Sequence, residues 1–326
     1  MSDPHVVAVF GPTGSGKTDV AVHLARTLGT EVVNCDPAQC YRGFPILTNQ
    51  PLAEHDEIAR HRMVAVWALD TVATVADFAR QSRAEVDALV NDRGVAVVCG
   101  GSGMYMRATL TAMQFGDVDG STGSPAEHPL REQLESWYDE VGAEVAHARL
   151  RERDPVVAAQ VHPNDRKRVV RGIEAVERGG SVATERGAVW QTPLRHPTTV
   201  TGLVVDRTAV RERVANRTVT MFANGVLDEI AAAVGPRAEH VDHISRTALQ
   251  VHGVRDCIAV LNGEINTDVA IARLTTRTHQ YVRRQDIWAR RWPGMWRVPF
   301  DASTTSARDI ATLVAAGRAG HVNDRG

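Results

Sequence analysis

The stretch Gly11-Pro12-Thr13-Gly14-Ser15-Gly16-Lys17-Thr18 carries the strongest chemical signal in the chain. It matches G-x-x-x-x-G-K-[ST], in which glycines let successive backbone N–H groups wrap phosphate oxygens, the lysine adds a point charge and the hydroxyl can hold Mg2+. A glycine turn that merely caps a helix has no need of the Lys-Thr pair, so phosphate binding is the preferred reading. A second stretch, Asn34-Cys35-Asp36-Pro37-Ala38-Gln39-Cys40, sets a carboxylate between two cysteines. Beside bound phosphate, Asp36 makes electrostatic sense as a base or a metal ligand. It equally reads as the N-cap of a short helix with Pro37 at its first position. Cys35, Cys40, Cys99 and Cys257 show no ligand-like pairing and read as small apolar residues.

The elements that position these residues follow from periodicity. Val6 to Phe10 is a β-branched run ending at Gly11, and Val20, Ala21, Leu24, Ala25 and Leu28 then fall at helical spacing until Gly29. Glu31 to Cys35 and Gly94 to Cys99 read as further strands around a helical stretch from about Val75 to Val90. Such alternation predicts a parallel α/β sheet, with ligands at the carboxyl ends of its strands. The loops 11–18, 36–42 and 100–105 should therefore converge. The strand ending at Cys99 runs into Gly100-Gly101-Ser102, without the aspartate that a hydrolase or kinase places there for its metal. The phosphate bound need not be a nucleotide's.

Farther on, Asp117 to Pro125 reads as a small polar loop or boundary, and Arg131 to Val176 as helical, with breaks near Pro155 and at His162-Pro163-Asn164-Asp165. From Gly179 to Pro197 the pattern dissolves. Thr198 to Asp206 then forms a strand, helices resume after Arg207, and Trp296 to Phe300 reads as a late strand. Residues from Ala315 onward are expected to fray. The predicted architecture is an α/β fold: a P-loop-containing parallel sheet core flanked by helices, with an inserted all-helical subdomain. Residues 1–118 and 198–326 form the core and 119–197 the insert.

With 326 residues, 43% hydrophobic and 23% charged, the composition is that of an ordinary globular protein, and no apolar run approaches the roughly 20 residues that span a bilayer. Met1-Ser2-Asp3-Pro4-His5 opens no secretory signal, so a cytoplasmic location is expected. A net charge of −2 gives no overall field for nucleic acid, so any RNA contact must come from local patches. One candidate combines Arg273, Arg277, Arg283, Arg284, Arg290 and Arg291 with His279, Tyr281 and Trp288, charges for phosphate beside planar groups for stacking. The same pattern also suits a solvated helix face over an aromatic core. A second cluster is Arg166, Lys167, Arg168 and Arg171.

Taken in order, these features resemble the tRNA dimethylallyltransferases, also called tRNA isopentenyltransferases, in a divergent bacterial-type form. They are the phosphate loop, Asp36-x-x-Gln39 before Tyr41-Arg42-Gly43, and Gly100-Gly101-Ser102-Gly103-Met104-Tyr105. There follow His162-Pro163-Asn164-Asp165, Arg171-Gly172-Ile173-Glu174, Arg213-Val214-x-x-Arg217 with Met221, and Tyr281-Val282-Arg283-Arg284-Gln285-x-x-Trp288. The resemblance spans about residues 6–300. It implies transfer of a dimethylallyl group from dimethylallyl diphosphate to the exocyclic amine of an adenine beside the tRNA anticodon, with Mg2+ as cofactor. It further implies Gly11 to Thr18 as diphosphate ligands, Thr18 as metal ligand, Asp36 as proton acceptor, Ser102 close to the reacting groups and Arg217 as a clamp. By the same resemblance Asp36, Pro37, Ala38 and Gln39, together with Lys167, Arg168, Arg171, Arg277, Arg283 and Arg284, would contact the anticodon stem-loop. A monomer with no membrane partner is expected.

The chain departs from the family where Pro37 replaces a general serine, Ser102 a threonine and His61-Arg62 a paired histidine. Of the family's Met-Asp-Ile-Gly-Thr-Ala-Lys-Pro, the segment Phe44 to Pro51 keeps Ile46, Thr48 and Pro51. Alternative readings are prenylation of free AMP, ADP or ATP, a P-loop small-molecule kinase, and a non-catalytic RNA- or nucleotide-binding protein. The retained helical insert and the arginine-rich helix argue for RNA. The glycines after Cys99 argue against the kinase.

Overall fold

The computed structural model describes residues 4–114, 129–180 and 188–321. Six strands, β1 (His5–Phe10), β2 (Val32–Asn34), β3 (His61–Arg62), β4 (Val95–Gly100), β5 (Thr198–Val204) and β6 (Trp296–Pro299), form one sheet in the order β3-β2-β4-β1-β5-β6. Every neighbouring pair is parallel. β1 and β4 are buried along their whole length, which is why they read as unbroken valine-rich runs and not as alternating ones. The sheet bears out the predicted α/β class. β3 has no counterpart in the sequence reading, because two polar residues carry no strand period; its conformation is set by pairing with Val32 and Val33.

The described chain divides into two compact units, Met1–Met113 with Pro193–Gly326, and Gln114–Thr192. The first holds the sheet. Its principal core packs Val7 and Val9 of β1 and Val97 of β4 against Val20 and Leu24 of the helix Lys17–Leu28, with Val298 and Phe300 from the C-terminal side. In the second unit all regular elements among the described residues are helices, chiefly Pro129–Val141, Ala143–Arg153 and Arg166–Glu177. Leu134, Tyr138, Ala146, Leu150, Val169 and Ile173 form its own core. The buried carboxylate of Glu174 pairs there with Arg131 and, at 3.3 Å, with Arg178. The expected boundary segment Asp117 to Pro125 lies outside the described residues.

The expectation that the chain frays from Ala315 is corrected as far as His321, where the helix Ala307–His321 continues; residues 322–326 lie outside the described residues. Ile310, Ala311 and Val314 are buried in the principal core with Ala315 packed against it. Small residues serve close packing here. A Cβ on Gly317 would stand 2.4 Å from the Trp296 ring. Polar composition concealed this because only one stripe of the helix faces inward.

Val314 is wholly buried whereas its neighbour Leu313 is 48% exposed. Val314→Ala should therefore lower unfolding free energy by about 1–3 kcal/mol, and Leu313→Ala by less than about 0.5 kcal/mol. Urea denaturation of both variants checks this. Equal, small effects would mean that the helix is not docked.

Candidate functional site

The phosphate loop leaves the centre of the sheet, between β1 and the helix Lys17–Leu28. Gly14 and Gly16 both adopt φ of 80°, a left-handed conformation that side chains resist. Two contacts from distant sequence hold the loop. The Thr13 N–H donates to Gln285 Oε1 at 2.9 Å, and Arg213 Nη1 donates to the Gly14 carbonyl at 3.3 Å. Gln285 lies buried on the long helix Thr267–Arg291, and Arg213 lies on Arg207–Ala223. Lys17 sits at the first position of its helix. Burial lowers the pKa of its ammonium, the Asp36 charge opposes that shift and Arg217 adds to it. Burial also lowers the pKa of Arg217, again opposed by Asp36.

Asp36 follows the end of β2 and caps the turn, as one of its two readings expects. Its Oδ1 accepts the Ala38 N–H at 3.1 Å, capping the 3-10 helix Pro37–Cys40. The same residue lines a cavity of about 340 Å3, together with Thr13 of the phosphate loop, Ser102 and Arg217. The Asn34 side chain braces Asp36 by accepting its N–H and donating to its carbonyl, each at 3.0 Å. Pro37 and Ala38 line the cavity as well. Gln39 instead turns its amide to the Thr48 and Asn49 carbonyls at 3.2 and 2.7 Å.

Ser102 precedes the helix Gly103–Leu110 but makes no side-chain cap. Ser102 and Tyr281 both line the cavity, and burial pushes the phenol of Tyr281 well above its ordinary range. Tyr281 meets His252 edge to face at 5.4 Å, and Arg284 lies 5.6 Å over its ring. Leu47, Trp67, Val214, Met221 and Leu274 supply apolar wall. On that wall Tyr41 donates its hydroxyl hydrogen to Thr247 Oγ1 at 2.7 Å. The cavity thus joins the glycine-rich loop at Thr13 to the Arg217 guanidinium, the Asp36 carboxylate, the Ser102 and Tyr281 hydroxyls and an apolar surface. That combination suits an apolar diphosphate ester reacting with a second, polar group. A shallower depression of about 450 Å3 follows the helix Pro129–Val141, where Glu132 and Glu140 make it unsuited to phosphate.

The sequence-expected residues separate into two sets. Thr13, Asp36, Pro37, Ala38, Ser102 and Arg217 share the cavity. Arg283 and Arg284 are exposed on the long helix, while Arg277 is ion-paired with buried Asp256. Lys167, Arg168 and Arg171 are exposed on Arg166–Glu177 in the helical unit, where Arg168 also meets Asp165 at 3.4 Å. The cysteines are buried free thiols, and burial pushes Cys35 and Cys99 up to about 12. Such thiols stay neutral near pH 7 and act as small packing groups. Thr247, Gln250 and His252 line the cavity from a stretch that carries no local signal.

The protein family described as IPP transferase matches residues 39–292. A tRNA dimethylallyltransferase of Streptomyces griseus is 34% identical over 292 residues, covering 89% of this chain and 88% of the relative. The solved structure of a tRNA isopentenylpyrophosphate transferase from Bacillus halodurans is similar at 25% identity and TM-score 0.67, covering 98% of each chain. A eukaryotic dimethylallyltransferase acting on tRNA shares the fold at TM-score 0.77 and 21% identity, covering 98% of this chain and 80% of its own.

The bond between Thr13 and Gln285 ties the phosphate loop to the long helix. Gln285→Ala leaves that N–H unpaired in a half-buried loop, at a cost of about 1–3 kcal/mol. Inorganic pyrophosphate should then bind severalfold more weakly by calorimetry, with a lowered thermal midpoint. Unaltered pyrophosphate affinity would show that the loop holds its shape without the helix.

Proposed function

Because the chain belongs to the IPP transferase family, we propose that it transfers the dimethylallyl group of dimethylallyl diphosphate to the exocyclic amine of an adenine in a tRNA anticodon loop. The observation that carries this reading is the shared cavity of Thr13, Asp36, Ser102 and Arg217 at the carboxyl edge of the sheet. The loop Gly11 to Thr18 binds the diphosphate, with Lys17 and Arg217 facing its oxygens. The Thr18 hydroxyl, with diphosphate oxygens and water, makes the hard-oxygen donor set that suits Mg2+. When bound, that ion adds positive charge beside the leaving group.

In the reaction the amine nitrogen forms a bond to the allylic carbon that carries the diphosphate. The carbon–oxygen bond breaks and its electron pair leaves on the diphosphate. Asp36 accepts the proton released from nitrogen. Lys17, Arg217 and the loop N–H groups are in place before that charge develops, which is the arrangement that stabilises a transition state most. Apolar walls such as Met221 and Leu274 keep water from the allylic carbon. An aryl amine is a weak nucleophile, so alignment, worth up to about 7–11 kcal/mol, outweighs the base, worth roughly 10²–10⁴-fold.

The exposed arginines of the long helix and of Arg166–Glu177 supply phosphate contacts along the RNA. They compensate for the chain's overall charge of −2. A kinase reading is disfavoured because β4 runs through Gly100 into Gly101-Ser102, where the chain places no carboxylate for a nucleotide's metal.

Incubation with labelled dimethylallyl diphosphate and unmodified tRNA should label the RNA. No label with folded protein overturns the reading, and AMP or ATP offered in its place reports on free nucleotides. Asp36→Ala should lower turnover by about 10²–10⁴-fold while the diphosphate dissociation constant changes little; Lys17→Ala should impair both. A joint Lys167→Ala, Arg168→Ala, Arg171→Ala variant should raise KM for tRNA. Its salt dependence should flatten by up to ~0.9 in log–log slope for each RNA phosphate that these side chains neutralise in the parent. An unchanged slope would remove the insert from the RNA interface.

A further inference from the structure

Glu229 reaches the cavity without lining it. It lies on the helix Val226–Val234, and its carboxylate accepts the backbone N–H of Ile46 at 2.6 Å and of Leu47 at 2.9 Å. These are orphan donors in the first turn of the short helix Pro45–Thr48, where Pro45 itself has none to offer. Burial raises the pKa of Glu229, while the two N–H bonds oppose that shift. A group that faces a desolvation cost and still bonds two donors fixes them firmly.

The turn it fixes belongs to the cavity. Leu47 and Thr48 contribute wall, and Leu47 packs so close to Gly253 that a Cβ there would meet it at 2.7 Å. The far end of the turn holds the next link. Gln39 donates to the Thr48 and Asn49 carbonyls, and Gln50 donates back to the Gln39 and Tyr41 carbonyls at 3.0 and 2.7 Å. Gln39 lies in the 3-10 helix that Asp36 caps, and its own N–H donates to the Asp36 carbonyl at 3.1 Å. A continuous set of hydrogen bonds therefore runs from Glu229 through the Pro45–Thr48 turn and Gln39 to the backbone of Asp36. Every link except the helix of Glu229 lies in the segment 36–50.

We propose that Glu229 is a positioning residue for the acceptor side of the reaction: it holds the Pro45–Thr48 turn, and through Gln39 it helps place the Asp36 backbone, from which the carboxylate capped by Ala38 meets the incoming amine. This rests on the prenyl-transfer reading. The phosphate loop has separate anchors in Gln285 and Arg213, so donor binding is independent of Glu229.

The test uses the whole protein with tRNA, dimethylallyl diphosphate and Mg2+. Glu229→Ala should lower kcat/KM for tRNA at least about tenfold, with the diphosphate dissociation constant within twofold of the parent. Glu229→Gln, whose amide keeps one acceptor oxygen, should recover part of that loss. In a double-mutant cycle, Gln39→Ala and Glu229→Ala should be markedly less than additive, because both act through one turn. Additive losses, or equal weakening of donor and acceptor, overturn the proposal. So does an unchanged kcat/KM in folded Glu229→Ala. Failure of the parent protein to label tRNA overturns the prenyl-transfer reading and this proposal with it, whereas parental activity with an unaffected variant overturns the proposal alone.

Discussion

The site depends on how closely backbones approach at the carboxyl edge of the sheet. β4 ends against β2, the phosphate loop and the long helix at once. A Cβ on Gly100 would lie 2.7 Å from that of Cys35, one on Gly101 2.6 Å from the Gly11 carbonyl, and one on Gly103 2.2 Å from the Trp288 ring. No side chain fits in those gaps, so glycine is required there for steric reasons. The consequence is that Ser102, set between such glycines, is delivered into the cavity beside Asp36 and the phosphate loop. A kinase-type aspartate on the same strand would have no room beside Gly11 and Gln285.

Close approach also creates the electrostatic character of the cavity. Lys17 and Arg217 share a desolvated region with Asp36, whose charge opposes the lowering of both their pKa values. Unit charges some 5 Å apart at an effective dielectric of about 20 interact by roughly 3 kcal/mol. Under the proposed function, a diphosphate bound there would add the negative charge that these two cations favour. Because the donors are held by Gln285 and Arg213 before any ligand arrives, little reorganisation is needed as charge builds on the leaving oxygens.

Legibility follows locality. The phosphate loop, the β1 and β4 runs and the capping role of Asp36 are written in consecutive residues, and each is readable in the sequence. β3 is not, since its conformation comes from pairing with β2 and not from its own two residues. The C-terminal helix reads as a fraying tail because its inward stripe, Ile310, Ala311 and Val314, is diluted by small and polar neighbours. Gln285 and Glu229 lie 272 and 183 positions from the donors they bond, and no local pattern marks such partners. A polar residue on a helix declares its role only when its burial is known. Arg277 shows a link that charge and spacing alone leave hidden: the structure pairs it with buried Asp256 while its side chain stays half exposed.

The Asp-Pro sequence shows how a substitution beside the site can be accommodated. Proline lacks an N–H, and at the first position of a helix that group would be unpaired in any case. Here Asp36 Oδ1 takes its hydrogen bond from Ala38, one residue beyond, so Pro37 removes no donor that the cap uses. The fixed φ of proline instead narrows the conformations open to the turn. Capping and chemistry also do not compete for the whole carboxylate. An ionised carboxylate has two oxygens and several acceptor directions. One oxygen held by Ala38 fixes the rotamer, and a fixed rotamer is what the proposed proton transfer from an amine would require.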